Sequence, residues 1–168
     1  SGIRDLLDAF NLIDDAGYEL WIAGSGKGED EIKRRIEVDS RIKYFGFVTI
    51  DQVYKLQSQA TVLINPRKNE GEYTKYSFPS KTIEYMASGV PVLMYRLDGI
   101  PDEYDEYLTY IKGSSAESMA ESITELCGKD IDELRQLGEK AKRFVLANKN
   151  PGKSAEKILN LIRDMDNQ

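Results

Sequence analysis

Apolar residues follow two patterns along this chain, and the patterns alternate. Stripes at three- and four-residue spacing predict helices, and short continuous apolar runs predict buried strands. The predicted strands are Tyr18–Ala23, Ile42–Phe45, Thr61–Asn65, Val90–Tyr95 and Leu108–Lys112. The predicted helices are Gly2–Ala16, Glu29–Val38, Asp51–Ser58, a helix within Phe78–Val92, and three closing helices, the last after Asn150-Pro151-Gly152.

Strands that alternate with amphipathic helices indicate an α/β fold with a Rossmann-like, doubly wound parallel sheet. Ligands of such sheets bind at the carboxyl ends of the strands. Gly24-Ser25-Gly26, Gly46-Phe47-Val48, Arg67–Phe78 and Leu97–Pro101 each follow a predicted strand. We therefore expect these segments to converge at one edge of the sheet.

Composition narrows the function classes. The 168 residues suit one domain, and a net charge of −6 argues against a general nucleic-acid binder or a polybasic membrane patch. The sequence shows no signal peptide and no bilayer-spanning apolar run. Without histidine, and with Cys127 alone, zinc binding, histidine acid–base catalysis and an internal disulfide framework are excluded. We expect Cys127 to lie in the core and the protein to be cytoplasmic. The abrupt apolar start predicts that the chain is a fragment of a longer protein.

The stretch Phe78–Val92, FPSKTIEYMASGVPV, reads as a helix start that holds a phosphate. Ser80 and Thr82 place hydroxyls beside the free N–H groups of the first turn. Lys81 adds a positive charge where the helix dipole normally prefers an anion. Glu84 follows one turn later, and it is either a partner for Lys81 or a ligand group. We favour the ligand interpretation, because Lys81 opposes the dipole without a visible structural gain.

Other polar segments are weaker candidates. Gly24-Ser25-Gly26 could let backbone N–H groups approach a phosphate, or could simply make a tight turn. Arg67 could reach a diphosphate, or could be a surface arginine. Tyr73 and Tyr76 could stack on a base or sugar, or could anchor packing. The acidic turn Asp98–Glu106 matches no EF-hand loop, and we expect it to be solvated and to hold no metal.

With these segments in place, the chain resembles the carboxyl-terminal half of a GT-B fold glycosyltransferase of the family 4 type, among the group 1 glycosyl transferases. Leu20–Gly26 looks like the strand and glycine loop of that family, and Ile42–Val48 is similar to the strand whose following loop meets the base. Leu63–Arg67 and Phe78–Val92 resemble its central signature. The resemblance covers nearly the whole chain. It implies one nucleotide-sugar-binding domain over residues 1–168, with residues 150–168 as a terminal crossover-type helix.

The resemblance also implies a donor site. Gly24 and Gly26 would allow close approach of the donor, Ser80, Lys81 and Thr82 would meet its diphosphate, and Glu84 would accept hydrogen bonds from both ribose hydroxyls. The expected donor-binding residues are Gly24, Ser25, Gly26, Arg67, Tyr76, Ser80, Lys81, Thr82 and Glu84. No catalytic residue is assigned.

Two departures from the family pattern stand out. Many members carry two glutamates with seven residues between them, the second at the position of Glu84, and in this chain the first position is occupied by Tyr76. The family's domain also opens with a strand before the first helix, followed by a basic residue that meets the diphosphate, whereas this chain begins at that helix. The absent strand would be central in the usual strand order. Either its neighbours pair with each other, or a segment from another molecule fills the gap.

The resemblance implies the donor-binding half of a retaining, hexosyltransferase-like enzyme of carbohydrate biosynthesis. A nucleoside-diphosphate sugar would be its substrate, with no cofactor, and an amino-terminal domain would hold the acceptor. The fragment alone is expected to be inactive, and peripheral membrane contact of the parent protein stays open. The alternatives are a non-catalytic nucleotide-binding module on the same fold and, less favoured, a sugar epimerase.

Overall fold

A computed structural model describes residues 2–69 and 80–148 of the chain. Its helices are α1 (Gly2–Asn11), α2 (Glu29–Val38), α3 (Ile50–Gln59), α4 (Ser80–Ala87), α5 (Ala116–Cys127) and α6 (Ile131–Asn148). Its strands are β1 (Leu20–Ile22), β2 (Ile42–Tyr44), β3 (Leu63–Asn65), β4 (Val92–Met94) and β5 (Thr109–Tyr110), and a 3₁₀ helix covers Asp102–Tyr104. The helix expected over residues 150–168 lies outside the described residues.

All observed strand pairings are parallel, which confirms the predicted α/β class. β1 pairs with β2, and β4 lies between β3 and β5. The strands form two sheets, and within residues 2–69 and 80–148 no pairing joins β1 to β3. The neighbours of the expected central strand therefore do not pair across the gap.

Helices cover these sheets and complete one hydrophobic core. α1 packs against α5, and α4 packs against α6. Leu7, Leu93 and Met119 are fully buried at the centre of the cluster. The contact between α4 and α6 is close, since a Cβ on Gly138 would lie 1.9 Å from the carbonyl oxygen of Gly89.

The start and end of two helices differ from the sequence prediction. α1 ends at Asn11 instead of continuing to Ala16, because Arg41 donates hydrogen bonds to the carbonyl oxygens of Ile13 and Asp15 and holds the chain in a turn. α3 begins one residue earlier than predicted and is capped by Thr49 rather than opened by Asp51. Thr49 forms a capping box with Gln52, which satisfies two free backbone N–H groups.

The acidic turn after β4 is organised by one arginine. Arg96 forms ion pairs with Asp102 at 2.7 Å and Asp105 at 2.9 Å. Its guanidinium also donates to the carbonyl oxygens of Leu97 and Ile100. These carboxylates are engaged in holding the loop after β4.

None of the helices in the described ranges combines the length and the apolar character needed to cross a membrane.

Candidate functional site

The loops that follow β1 and β2 meet at the carboxyl edge of their sheet, as the sequence predicted. The Gly24 N–H donates to the carbonyl oxygen of Gly46 at 2.7 Å, and the Tyr44 hydroxyl donates to the carbonyl oxygen of Gly24 at 2.8 Å. Gly24 has a φ of +122°, which favours glycine. A Cβ on Gly24 or Gly26 would have no atom within 4 Å, so a ligand has room to approach this backbone.

The start of α4 presents polar groups to solvent. Ser80 and Lys81 are both exposed, and the first turn of this helix contains no acidic residue. Its free N–H groups therefore have no carboxylate of the same turn beside them. Within the described ranges Lys81 and Glu84 form no ion pair, which leaves the ligand interpretation of both side chains in place.

A cavity of about 720 Å³ joins these elements. Gly24, Lys81 and Glu84 line it together, and Phe47 lines it from the loop after β2. The Phe47 side chain is 87% exposed. The structure thus brings three of the predicted donor-binding residues and the exposed ring of Phe47 around a single space.

Glu84 has a partner that the sequence did not reveal. The side-chain amide of Gln57 donates from Nε2 to Oε1 of Glu84 at 2.8 Å, and Gln57 is only 6% exposed. Burial raises the pKa of the Tyr85 hydroxyl, and the negative charge of Glu84 raises it further. Gln57 lies in an amphipathic helix with mostly polar sequence neighbours and carries no motif, so the sequence offered no signal for this contact.

Thr82 requires a correction. Its side chain is fully buried, and its hydroxyl lies 3.7 Å from the sulfur of Met94, on β4. Because the side chain points into the core, its hydroxyl is not available to a diphosphate at the helix start. Only the backbone N–H of Thr82 stays a candidate for donor binding.

The other predicted site residues are not among those that line the cavity, or they fall outside the described ranges. Ser25, Gly26 and Arg67 are exposed on the segments that follow β1 and β3. The Arg67 N–H donates to the side chain of Asn65 at 3.3 Å, and its guanidinium is at the surface. Tyr76 falls in residues 70–79, which the structure does not describe, so its role stays a prediction.

The sequence matches the family of glycosyl transferases group 1 over residues 1–129. The chain belongs to this family. The match includes every candidate donor-binding residue, because these lie between Gly24 and Glu84. A comparison of the sequence with curated proteins finds no match.

Solved structures with the GT-B glycosyltransferase fold superpose on most of the chain. Anabaena Alr3699/HepE, solved with UDP, is 15% identical with a TM-score of 0.67, and the match covers 98% of this chain and 44% of that one. WaaG, a glycosyltransferase of lipopolysaccharide biosynthesis, is 18% identical with a TM-score of 0.66 and coverages of 94% and 43%. The sucrose-phosphate synthase of Thermosynechococcus elongatus is 20% identical with a TM-score of 0.68 and coverages of 99% and 42%.

These likenesses confirm the predicted fold class. At such low sequence identities, the structural similarity is evidence for the fold alone. The chain spans less than half the length of each of these proteins. What this group 1 glycosyltransferase chain does with its site rests on its own residues.

Proposed function

We propose that this chain is the donor-binding domain of a retaining glycosyltransferase. The enzyme would move a sugar, most simply a hexose, from a nucleoside-diphosphate sugar to an acceptor held by a second, amino-terminal domain. The domain alone would bind nucleotide without catalysing transfer. The observation that carries the proposal is that Lys81 and Glu84 line one cavity together with the backbone of Gly24.

Glu84 has the chemistry to bind a ribose. An ionised carboxylate only accepts hydrogen bonds, and two neighbouring hydroxyls can donate to its two oxygens. Gln57 donates to Oε1 and limits the rotation of the carboxylate, while Oε2 and the remaining lone pair of Oε1 are left for the ligand. The ribose therefore meets an acceptor that is already oriented.

Lys81 and the start of α4 have the chemistry to bind the diphosphate. As the bond from the anomeric carbon to the diphosphate oxygen breaks, negative charge accumulates on the leaving group. Lys81, the exposed Arg67 guanidinium and the N–H groups at the helix start would stabilise that charge. The open backbone at Gly24 and Gly26 allows the phosphates to come close.

The loop after β2 supplies an aromatic surface for the base. Phe47 lines the cavity while most of its ring is exposed, so its face is accessible to a flat, aromatic partner. Stacking on an aromatic ring is worth about 1–3 kcal/mol per base. This arrangement accepts any base, so it does not select among nucleotides.

Calorimetric titration of the chain with UDP, GDP and ADP tests the proposal, each nucleotide being paired with its 2′-deoxy form. UDP comes first because HepE was solved with UDP and with UDP-glucose. We expect binding of at least one ribonucleotide and about tenfold weaker binding of its 2′-deoxy form, the effect of one charge-assisted hydrogen bond.

The variant Glu84→Gln should weaken binding of the ribonucleotide and reduce the difference in affinity between the ribonucleotide and its 2′-deoxy form. Glu121→Gln, which makes the same change at an exposed position of α5, should bind like the unaltered chain. If no nucleotide binds, or if Glu84→Gln leaves the ribose preference intact, the donor-site proposal is wrong.

A second candidate is a non-catalytic nucleotide-binding module on the same fold. It is favoured by Tyr76, which stands where many family members carry a glutamate. Both candidates predict nucleotide binding by this chain. Transfer or hydrolysis of a nucleotide sugar by the full-length protein would separate them, since a module binds the donor and leaves it intact.

A further inference from the structure

Tyr44 is the last residue of β2, and its side chain extends to the loop after β1. Its ring packs against the hydrophobic core, while its exposed hydroxyl donates a hydrogen bond to the carbonyl oxygen of Gly24 at 2.8 Å. In the register of the sheet Tyr44 lies beside Ile22, two residues before Gly24. An aromatic side chain can span this diagonal distance between neighbouring strands. Tyr44 therefore links β2 to the point where β1 continues into the glycine loop.

The hydrogen bond to Gly24 is the contact that distinguishes Tyr44 from a phenylalanine. The ring supplies the apolar contact with the core, and the hydroxyl serves a polar partner. Gly24 lines the large cavity, whereas Tyr44 is not among the described residues that line it. Any effect of the Tyr44 hydroxyl on a ligand in the cavity therefore passes through the backbone of Gly24.

The backbone of the glycine loop is held on both sides of Ser25. Before it, the Gly24 N–H donates at 2.7 Å to a carbonyl oxygen of the loop after β2, and the Gly24 carbonyl accepts from Tyr44. After it, the carbonyl oxygen of Gly26 accepts from the N–H of Glu29 at 3.1 Å, at the start of α2. Ser25 thus lies between two anchored residues.

The direction of the Ser25 N–H follows from this arrangement. The peptide group between Gly24 and Ser25 is planar and trans, so its C=O and N–H point in opposite directions. Because the C=O is directed at Tyr44, the N–H of Ser25 is directed away from it. In the part of the chain that the structure describes, this N–H has no backbone acceptor. It is a donor that a ligand can use.

The Tyr44 hydroxyl is the contact that fixes this peptide group. The bond from the Gly24 N–H holds the preceding peptide, and Gly24 has a φ of +122°, in a region where glycine rotates freely. A Cβ on Gly24 would meet no atom within 4 Å, so no neighbour packs there to restrain the loop. Without the hydroxyl, the peptide group would be free to turn its N–H in other directions.

An anionic group is the ligand that suits the Ser25 N–H. Gly24 and Lys81 line one cavity, so a diphosphate that meets the Lys81 ammonium is expected beside the glycine loop. Backbone N–H groups of such loops bind phosphate oxygens through charge-assisted hydrogen bonds. These bonds depend on direction, and a mechanism that fixes the direction of the N–H strengthens them.

We propose that Tyr44 is a positioning residue for the donor diphosphate: its hydroxyl holds the Gly24 carbonyl and so keeps the Ser25 N–H directed at a phosphate oxygen. The inference rests on the proposed function and adds to it a residue that does not touch the ligand. Apparent affinity falls in proportion to the fraction of molecules in the binding-competent conformation. Removal of the hydroxyl should therefore weaken binding although every group that contacts the ligand is still present.

The variant Tyr44→Phe, which removes the hydroxyl and keeps the ring, tests this role. The probe is whichever of UDP, GDP and ADP binds the unaltered chain most tightly. We expect Tyr44→Phe to weaken its binding about fivefold in calorimetric titration. The 2′-deoxy form should lose affinity by the same factor, because the contacts of the ribose are unchanged.

Tyr110→Phe is the matched control. The Tyr110 hydroxyl donates to the carboxylate of Asp105 at 2.6 Å, at the end of β5 and apart from the described lining of the cavity. This variant also loses one tyrosine hydrogen bond, and it should bind the nucleotide like the unaltered chain. Circular dichroism of both variants checks that they are folded.

The amide resonance of Ser25 gives a readout that a merely structural role would not move. In the unaltered chain the nucleoside diphosphate should shift this resonance and slow amide exchange about tenfold or more, since the N–H gains an acceptor. The matching nucleoside, which carries no phosphate, should leave the resonance in place. In Tyr44→Phe the resonance should already differ in the free chain, and the protection by the diphosphate should be about fivefold smaller.

Three results would overturn the inference. One is equal affinity of Tyr44→Phe and the unaltered chain. Another is weaker binding with an unchanged Ser25 resonance, which would mean that the hydroxyl contacts the ligand itself. The third is a lost ribose preference in Tyr44→Phe, which would indicate a disturbance of the whole site. In each case the ribose preference of the unaltered chain, and its response to Glu84→Gln, test the proposed function separately. If no nucleotide binds the unaltered chain, both proposals are wrong.

Discussion

Gln57 donates a hydrogen bond to Glu84 at 2.8 Å and so links α3 to α4 in the lining of the cavity. The amide is 6% exposed, while the carboxylate is half-buried. One oxygen of Glu84 is therefore directed by a side chain 27 residues away in sequence. We infer that Gln57 is a positioning residue for the ribose.

Replacing Gln57 by leucine should weaken nucleotide binding about tenfold, because the carboxylate loses its fixed orientation. The loss should be larger for the ribonucleotide than for its 2′-deoxy form, which calorimetry resolves. Gln59→Leu makes the same chemical change at an exposed position that lines the cavity, and it should have little effect. An equal loss for both forms of the nucleotide would indicate a merely structural role for Gln57.

Lys81 is expected to act through charge. Lys81→Met should weaken the binding of a nucleoside diphosphate by about tenfold at low ionic strength, and the difference from the unaltered chain should shrink as salt screens the interaction. The comparison is made by titration at several salt concentrations. Lys55→Met removes an exposed lysine from α3 and serves as the control. A salt-independent loss in Lys81→Met would contradict an electrostatic role.

Substitutions of Thr82 and of Ser80 should have very different effects on nucleotide affinity. Thr82→Val removes a hydroxyl that lies against Met94 in the core, so nucleotide affinity should change by less than about twofold. Stability should also change little, because sulfur is a weak acceptor. Ser80→Ala, at the exposed start of α4, should weaken diphosphate binding severalfold. A large loss of affinity in Thr82→Val with normal stability would show that its hydroxyl reaches the ligand.

Asp39 should make the free energy of unfolding depend on pH in the acid range. Hydrogen bonds from Arg41 lower the pKa of this carboxyl in the folded chain, and both side chains are partly buried. A lowered folded pKa stabilises the protein above the unfolded pKa, and this contribution is lost as pH falls through the folded value.

Asp39→Asn should therefore cost about 1 kcal/mol of unfolding free energy at pH 7, and the difference should begin to shrink below about pH 4 and close as the pH falls through the folded pKa. Urea titrations across this pH range measure it. Glu37→Gln, exposed at the end of α2, is the control for loss of one negative charge. A pH-independent difference between Asp39→Asn and the unaltered chain would count against the ion pair as the cause.

Gly138 should tolerate no side chain. In an exposed helix, glycine to alanine normally adds about 1 kcal/mol of stability. Here the new methyl group would lie 1.9 Å from the carbonyl oxygen of Gly89, so α6 must move away from α4. We expect Gly138→Ala to lower the unfolding free energy by about 1–3 kcal/mol or more in urea denaturation. Gln136→Ala, exposed on the same helix, should be near neutral, and a stabilised Gly138→Ala would mean that the helices are less tightly packed.

The elements most accurately predicted from sequence are those set by local pattern. α2 has the predicted bounds, Glu29–Val38, because its apolar stripe and acidic first turn are local features. All five predicted strands are present along the chain, but each is shorter than predicted, since a strand ends where its neighbour stops pairing. The predicted end of α1 was wrong because Arg41, far along the chain, binds the carbonyl oxygens of Ile13 and Asp15 in the turn that follows the helix.

In the candidate site, too, the residues marked by local pattern were predicted and those set by tertiary contacts were not. Lys81 and Glu84 were predicted from the sequence, because the rules of helix termini and charge make their positions informative. Both line the cavity, and their role in donor binding stays a prediction. Gln57 was not found, since a glutamine in an amphipathic helix is ordinarily a surface residue. Thr82 was misplaced because the helix rotation that buries it depends on contact with Met94.

By itself the sequence determined the alternating elements, the family and which polar residues stand at the start of α4, all of which follow from local spacing and residue type. Tertiary structure alone decided that Glu84 meets Gln57, that Thr82 faces the core, and that β1 and β3 do not pair with each other within the described ranges. These relations join residues far apart in sequence. They depend on how the helices and strands pack together, which local pattern does not specify.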